Sequence, residues 1–145
     1  MKTSKTFALL AVSLLSFACN AQKTRITMLD LPKPAQTFIT NNFPNQVISY
    51  AVEDKEISNT EYKVVFTGGA EIEFDGKGNW EEIDGHTSAL PPSVLPKATA
   101  AYIAQHYKNL SVEKLERERY GYKVEFTNDL ELKFDANGKF LRIDD

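Results

Sequence analysis

One segment of this chain occurs twice, and a chain that repeats itself is constrained to build the same structural unit twice. Residues 61–84 read EYKVVFTGGAEIEFDGKGNWEEID, and residues 121–144 read GYKVEFTNDLELKFDANGKFLRID. Tyr62, Lys63, Val64, Phe66, Thr67, Glu71, Phe74, Asp75, Gly78, Ile83 and Asp84 recur sixty positions later. Upstream, LPKPAQTFITNNFPN at 31–45 aligns with LPKATAAYIAQHYKN at 95–109, at an offset of 64. The four-residue difference matches a longer loop near Glu56–Asn59 in the first copy. Neither copy contains a catalytic motif.

Each copy opens with a helix. Pro32 and Pro34 punctuate the first start, and Pro91, Pro92 and Ser93 the second, with Pro96 in a first turn. Proline suits these places because its missing N–H has no helical partner there. Ala35, Phe38, Ile39 and Phe43, and then Ala98, Tyr102, Ile103 and Tyr107, follow at helical spacing. Four strands are expected after each helix, eight in all. Ile48–Val52 alternates, and its counterpart from Val112 to about Arg119 is far more polar. Tyr62–Thr67 and Tyr122–Thr127 show the two-residue period of a strand with one buried face. Gly68-Gly69 and Asn128-Asp129 then serve as hairpin turns, since both pairs tolerate positive φ. Asp75-Gly76-Lys77-Gly78 and Asp135-Ala136-Asn137-Gly138 are the next turns, and Trp80–Asp84 and Phe140–Asp144 the last strands.

The expected fold is therefore α+β: two tandem modules, each a helix plus a four-stranded antiparallel meander. The boundaries run 31–85 for the first repeat, 86–94 for the linker and 95–145 for the second repeat, after a lead-in at 22–30. A short linker holds the repeats in one compact domain, as one continuous sheet or as two packed sheets. One helix per module covers one sheet face only. Tyr62, Val64 and Phe66 point at the helix. Lys63, Val65, Glu71 and Glu73, with Lys123, Glu125, Glu131 and Lys133, point to the open face.

Residues 1–21 carry the marks of a targeting segment. Lys2 and Lys5 precede an apolar run, Phe7–Ala18, too short to span a membrane. Cleavage before Gln22, behind the small Ala21, gives a periplasmic or secreted protein. Lipidation at Cys19, behind Ala18, is the competing outcome, although Ser16 and Phe17 suit it poorly. Cys19 is the only cysteine, so the chain from Gln22 has no disulfide and relies on its core. That chain holds 15 basic and 20 acidic side chains, a formal charge of −5. A net negative surface argues against nucleic acid as a partner. Residues 31–85 carry 4 basic and 10 acidic side chains, and residues 95–145 carry 9 of each. The copies share a frame and differ in surface.

The candidate reactive groups have structural explanations. Asp75 and Asp135 begin turns and lack the alternating oxygen ligands of a calcium loop. His86 and His106 have no partner at ligand spacing. No serine sits in a nucleophile elbow and no glycine-rich loop cradles phosphate. Glu71 and Glu73 lie about 7 Å apart along a strand, and Glu81, Glu82 and Asp84 follow. An exposed sheet face does not separate carboxylate pKa values as acid–base chemistry requires. Trp80 and Ile83 have opposite strand parity, so both reach the helix side only across a bulge. Otherwise whichever of the two faces outward joins Val65 as apolar surface among charges, and Tyr50 raises the same question; aromatic anchors ringed by polar groups are what interfaces use.

The pattern YKVxFxxxxEIEFDxxGxW behind a helix, twice over behind a bacterial leader, resembles the PepSY-like family of small secreted proteins described as β-lactamase-inhibitor-like. The resemblance covers about residues 28–145. It implies a fold like that of β-lactamase inhibitory protein, with tandem αβ modules and a concave antiparallel sheet. It transfers no activity, because a fold does not specify a function. The chain also lacks the cysteines that brace the modules of that inhibitor.

The expected function is non-catalytic, extracytoplasmic binding of a protein or peptide in the cell envelope, extending to inhibition of a secreted or periplasmic enzyme. The tentative partner-binding residues are Val65, Glu71, Glu73, Trp80, Lys123, Glu125, Glu131 and Lys133. No catalytic residue, metal or cofactor is assigned, and no transmembrane segment is expected after the leader. The alternative is a periplasmic protein that binds a small ligand or a cation at its acidic first copy.

Overall fold

The computed structural model describes residues 22–144. The expected leader segment, with Cys19 and both of its processing sites, lies outside the described residues. In chain order the elements are β1 (Gln22–Ile26), α1 (Lys33–Asn42), β2 (Ile48–Lys55), β3 (Thr60–Phe66), β4 (Glu71–Phe74) and β5 (Trp80–Asp84). Then come α2 (Lys97–His106), β6 (Val112–Glu118), β7 (Gly121–Phe126), β8 (Glu131–Asp135) and β9 (Phe140–Asp144). The nine strands form one sheet in sequence order, each antiparallel to the next. The class is α+β. Of the two arrangements the linker allows, the continuous sheet is the one present: β5 pairs with β6 through Glu82–Glu116, Ile83–Leu115 and Asp84–Lys114.

Two corrections to the sequence reading concern starts. β1 is a ninth strand, paired along its length with β2. Its residues, Gln-Lys-Thr-Arg-Ile, are almost wholly exposed and carry no alternating burial, so periodicity could not reveal it. The second helix begins at Lys97, after Pro96; Pro92–Val94 forms a separate 3-10 turn. The residue before a proline is pushed out of the helical region. Leu95 accordingly sits at ψ 143°, as Leu31 before Pro32 sits at ψ 152°.

The core lies between the helices and one sheet face. Val64, Phe66, Ile72 and Phe74 are buried from the first half, and Val124, Phe126, Leu132 and Phe134 from the second. Burial of each large apolar side chain contributes roughly 1.5–3 kcal/mol. The helices meet these strands through matching contacts. Phe38 meets Phe74 edge-on at 6.1 Å, and Tyr102 meets Phe134 edge-on at 5.7 Å. Phe43 lies 5.3 Å from Phe66, and Tyr107 lies 5.4 Å from Phe126.

The acidic turns brace the sheet against the helix starts. Asp75 Oδ1 accepts the N–H groups of Lys77 (2.9 Å) and Asn79 (2.8 Å), and Asn79 Nδ2 donates to Asp75 Oδ2 (2.9 Å). Asp135 Oδ1 accepts from Asn137 and Lys139, each at 2.9 Å. Burial pushes the Asp75 carboxyl up, but the bonds from Asn79, Lys77 and Gly78 hold it below its ordinary range. These carboxylates are occupied by the turn itself. Replacing either aspartate with alanine should cost about 1 kcal/mol in urea melts, the scale of one net hydrogen bond. Added calcium should leave both results unchanged.

Candidate functional site

Strand alternation sends every second side chain away from the helices. On β3 and β4 this puts Lys63, Val65, Glu71 and Glu73 on the open face, opposite buried Val64, Phe66, Ile72 and Phe74. On β7 and β8 it puts Lys123, Glu125, Glu131 and Lys133 there. Cross-strand pairs join them: Lys63 with Glu73, Val65 with Glu71, Lys123 with Lys133 and Glu125 with Glu131. Seven of the eight tentative binding residues therefore share one surface.

Trp80 is the exception. It lies on the helix side, 9% exposed, because β4 and β5 slip register between Glu73 and Phe74. That bulge lets Phe74 pair with Trp80 while Ile72 pairs with Ile83, so both β5 side chains reach the core. The Trp80 ring stands 6.5 Å from Phe38 and 5.8 Å from Tyr122. Arg117 caps it: the guanidinium lies 4.3 Å from the ring centroid, and Nε donates to the Trp80 carbonyl at 3.0 Å. Trp80 thus ties the two halves together on the covered side.

The open face is a lattice in which lysines sit between carboxylates. Lys63 Nζ is 2.8 Å from both Glu71 and Glu73. Lys114 is 2.9 Å from Glu82, 3.2 Å from Glu116 and 3.9 Å from Asp84. Lys123 contacts Glu116 at 3.0 Å and Glu131 at 3.6 Å, and Lys133 contacts Glu118 at 3.0 Å and Asp144 at 3.2 Å. Sequence reading missed Lys114 and Glu116. Their strand is bulged between Val112 and Lys114, which shifts parity mid-strand. The alternation Lys114, Glu116, Glu118 against Leu115 and Arg117 was the available signal. Near β1 the face turns apolar. Tyr50 and Val52 floor a depression of about 340 Å³ edged by Lys23, Asp54, Lys63 and Glu73.

The lattice fixes charge states. Partial burial pushes Lys63 and Lys114 down, but Glu71 and Glu73, and Glu82 and Glu116, bond them and raise both above the ordinary lysine range. Burial pushes Glu116 up, and Lys123 and Lys114 outweigh it, holding the carboxyl below its usual range. A lowered carboxylate stabilises the fold above its unfolded pKa and loses that contribution as pH falls through the folded value. A raised lysine stabilises below its unfolded pKa and loses that contribution as pH rises through the folded value. The lattice contribution is therefore complete at neutral pH and declines in acid and in strong alkali. Glu116→Gln should lose less stability than the parent between about pH 6 and about pH 3 in urea melts. Burial and Glu131 raise Glu125 instead, so Glu125→Gln should stabilise the fold at neutral pH.

The two histidines lie apart. His86, at φ 60°, donates its backbone N–H to Asp84, and the His106 ring lies tilted by 33° against Tyr102 with centroids 4.4 Å apart. Among the described residues no group of three His, Cys, Asp or Glu side chains is placed to hold a metal ion. No helix among them is long and apolar enough to cross a membrane.

Residues 60–142 match the family described as "Putative beta-lactamase-inhibitor-like, PepSY-like". The chain belongs to the PepSY-like family. Solved structures agree with this placement. A "putative periplasmic protein" from Bacteroides vulgatus is 36% identical, with a TM-score of 0.78 over 85% of this chain and 97% of its own. A "putative calcium-regulated periplasmic protein" from Bacteroides thetaiotaomicron is 34% identical, with a TM-score of 0.79 over the same shares. A second Bacteroides vulgatus periplasmic protein, of unknown function, is 32% identical, with a TM-score of 0.77 over 86% of this chain and all of its own. No curated protein matches the chain. The PepSY-like description is inhibitor-like and names no enzymatic activity.

Proposed function

We propose that this PepSY-like protein is a non-catalytic, extracytoplasmic binding protein that engages a protein or peptide with its open sheet face. The observation that carries the reading is the one-sided fold: both helices pack on one face, and the other holds a pre-set array of charges beside an apolar strip. Charges held in place by neighbours lose little freedom on binding, so they favour recognition of a complementary surface. Lys123 and Lys114 hold Glu116, and Lys133 and Arg142 hold Asp144, below the usual carboxylate range, which suits recognition rather than proton transfer.

The scaffold is proposed to be two copies of one module, residues 31–85 and 95–145, joined by 86–94. Supporting this, the helices start from Pro32 (φ −55°, ψ 144°) and Pro96 (φ −52°, ψ 139°) and end at Phe43 and Tyr107 in nearly identical conformations. Each following set of strands carries bulges at corresponding places. The family resemblance adds the inhibitory-protein-like fold and, more narrowly, inhibition of a secreted or periplasmic enzyme. Periplasmic relatives support export of this chain through the leader, with Cys19 lipidation as the alternative route to the envelope.

The test is affinity capture from envelope extract. Glu71→Lys with Glu131→Lys should weaken capture of a specific protein while the chain still melts in one cooperative transition, its midpoint lowered by loss of the Lys63–Glu71 and Lys123–Glu131 pairs. Equal capture by parent and double variant would remove the face as the site. Binding of a cation is the second reading, favoured by the calcium-regulated description of one relative. It predicts a calcium-dependent rise in melting temperature; the protein-binding reading predicts none.

A further inference from the structure

The two halves differ in what covers their last strand. β5 is covered by β6, and Ile83 beneath Leu115 is fully buried. β9 is the terminal strand of the sheet, so among the described residues nothing pairs with its outer edge. Ile143, which pairs with Leu132 as Ile83 pairs with Ile72, is 48% exposed, and Leu141 is 54% exposed. An edge of this kind is a template for another strand.

The strand that covers β5 shows what fits. β6 presents Lys114-Leu115-Glu116, a basic, apolar, acidic triplet, antiparallel to Asp84, Ile83 and Glu82. β9 itself reads Arg142-Ile143-Asp144, the same triplet. We propose that two copies of the chain associate through β9, antiparallel and centred on Ile143. In that register Ile143 meets Ile143 on the helix side. Arg142 meets Asp144 on the open face, twice, related by the twofold axis. The charge match exceeds that of the internal β5–β6 junction, where Glu82 faces Glu116. The axis stands perpendicular to the sheet, so the two sheets join into one and both open faces stay uncovered. Partner binding is neither required nor blocked. The opposite edge is guarded: pairing β1 with itself around Thr24 would set Lys23 against Arg25.

Sedimentation equilibrium on the chain from Gln22, from about 1 µM to about 500 µM, tests the proposal, since so short a junction gives a concentration-dependent dimer. The parent should dimerise. Arg142→Asp and Asp144→Arg should each weaken dimerisation at least tenfold, and the double variant should regain it, because the exchange restores both pairs. Oxidation of Ile143→Cys should give a disulfide-linked dimer, whereas Arg142→Cys should not, as the chain from Gln22 has no other cysteine. The cysteine pair keeps the question open to test if a charge variant fails to fold. A parent that stays monomeric throughout, single charge variants that dimerise like the parent, or equal cross-linking at 142 and 143 would each overturn it.

Discussion

Gly78→Val and Gly138→Val should each destabilise the fold by about 3–5 kcal/mol, the sum of backbone strain and overpacking. Both glycines sit at positive φ, 85° and 80°, where a β-branched residue is strained. Space is lacking as well. A Cβ at 78 would come 2.8 Å from Pro32 Cβ and 3.0 Å from the Ala35 nitrogen. A Cβ at 138 would come 2.9 Å from Thr99 Oγ1 and 3.1 Å from the Thr99 nitrogen. The aspartate turns thus press on the first turn of each helix, and glycine alone allows the approach. Gly68→Ala is the control, with no neighbour within 4 Å of the added carbon. Urea melts should show the control near the parent and both valine variants far below it. A Gly78→Val melt equal to the parent would show that this turn does not close against α1.

Phe74→Ala and Phe134→Ala should each cost about 3–5 kcal/mol, the range for deleting a buried aromatic ring. The rings are 0% and 1% exposed and fill the space under Phe38 and Tyr102. The two losses should be similar, because Phe38 meets Phe74 and Tyr102 meets Phe134 in the same edge-on geometry. Ile57→Ala, at a residue 94% exposed, should change stability by no more than about 0.5 kcal/mol. Unequal losses from the two phenylalanines, with one near zero, would show that one half of the sheet is not packed as described.

What was legible in the sequence follows from what repetition and periodicity encode. Val64 and Phe66, then Ile72 and Phe74, alternate on either side of a turn, and their recurrence marked both strand pairs and the turns between them, Gly68-Gly69 and Asn128-Asp129. The open-face residues were visible as the other parity of the same strands. β1 was invisible because its backbone pairs while its side chains stay in solvent. Trp80 was ambiguous, since a bulge changes which face a side chain takes and leaves no mark in composition. Lys114 and Glu116 escaped for a related reason: the β6 bulge between Val112 and Lys114 puts the start of the strand out of phase with the alternation that runs unbroken from Lys114 to Glu118. The join between β5 and β6 was not readable either, because it depends on the meeting of two distant strands.

The open face can be tested residue by residue, because the chain from Gln22 contains no cysteine of its own. Single cysteines at Val65 and Glu125 report the open face, and cysteines at Thr40 and Ala101 report exposed positions on the helices. The rate of maleimide labelling at each, with and without the captured partner, is the deciding measurement. Slower labelling at 65 and 125, with unchanged rates at 40 and 101, is the predicted result. Protection at 40 or 101 with none at 65 or 125 would contradict the account.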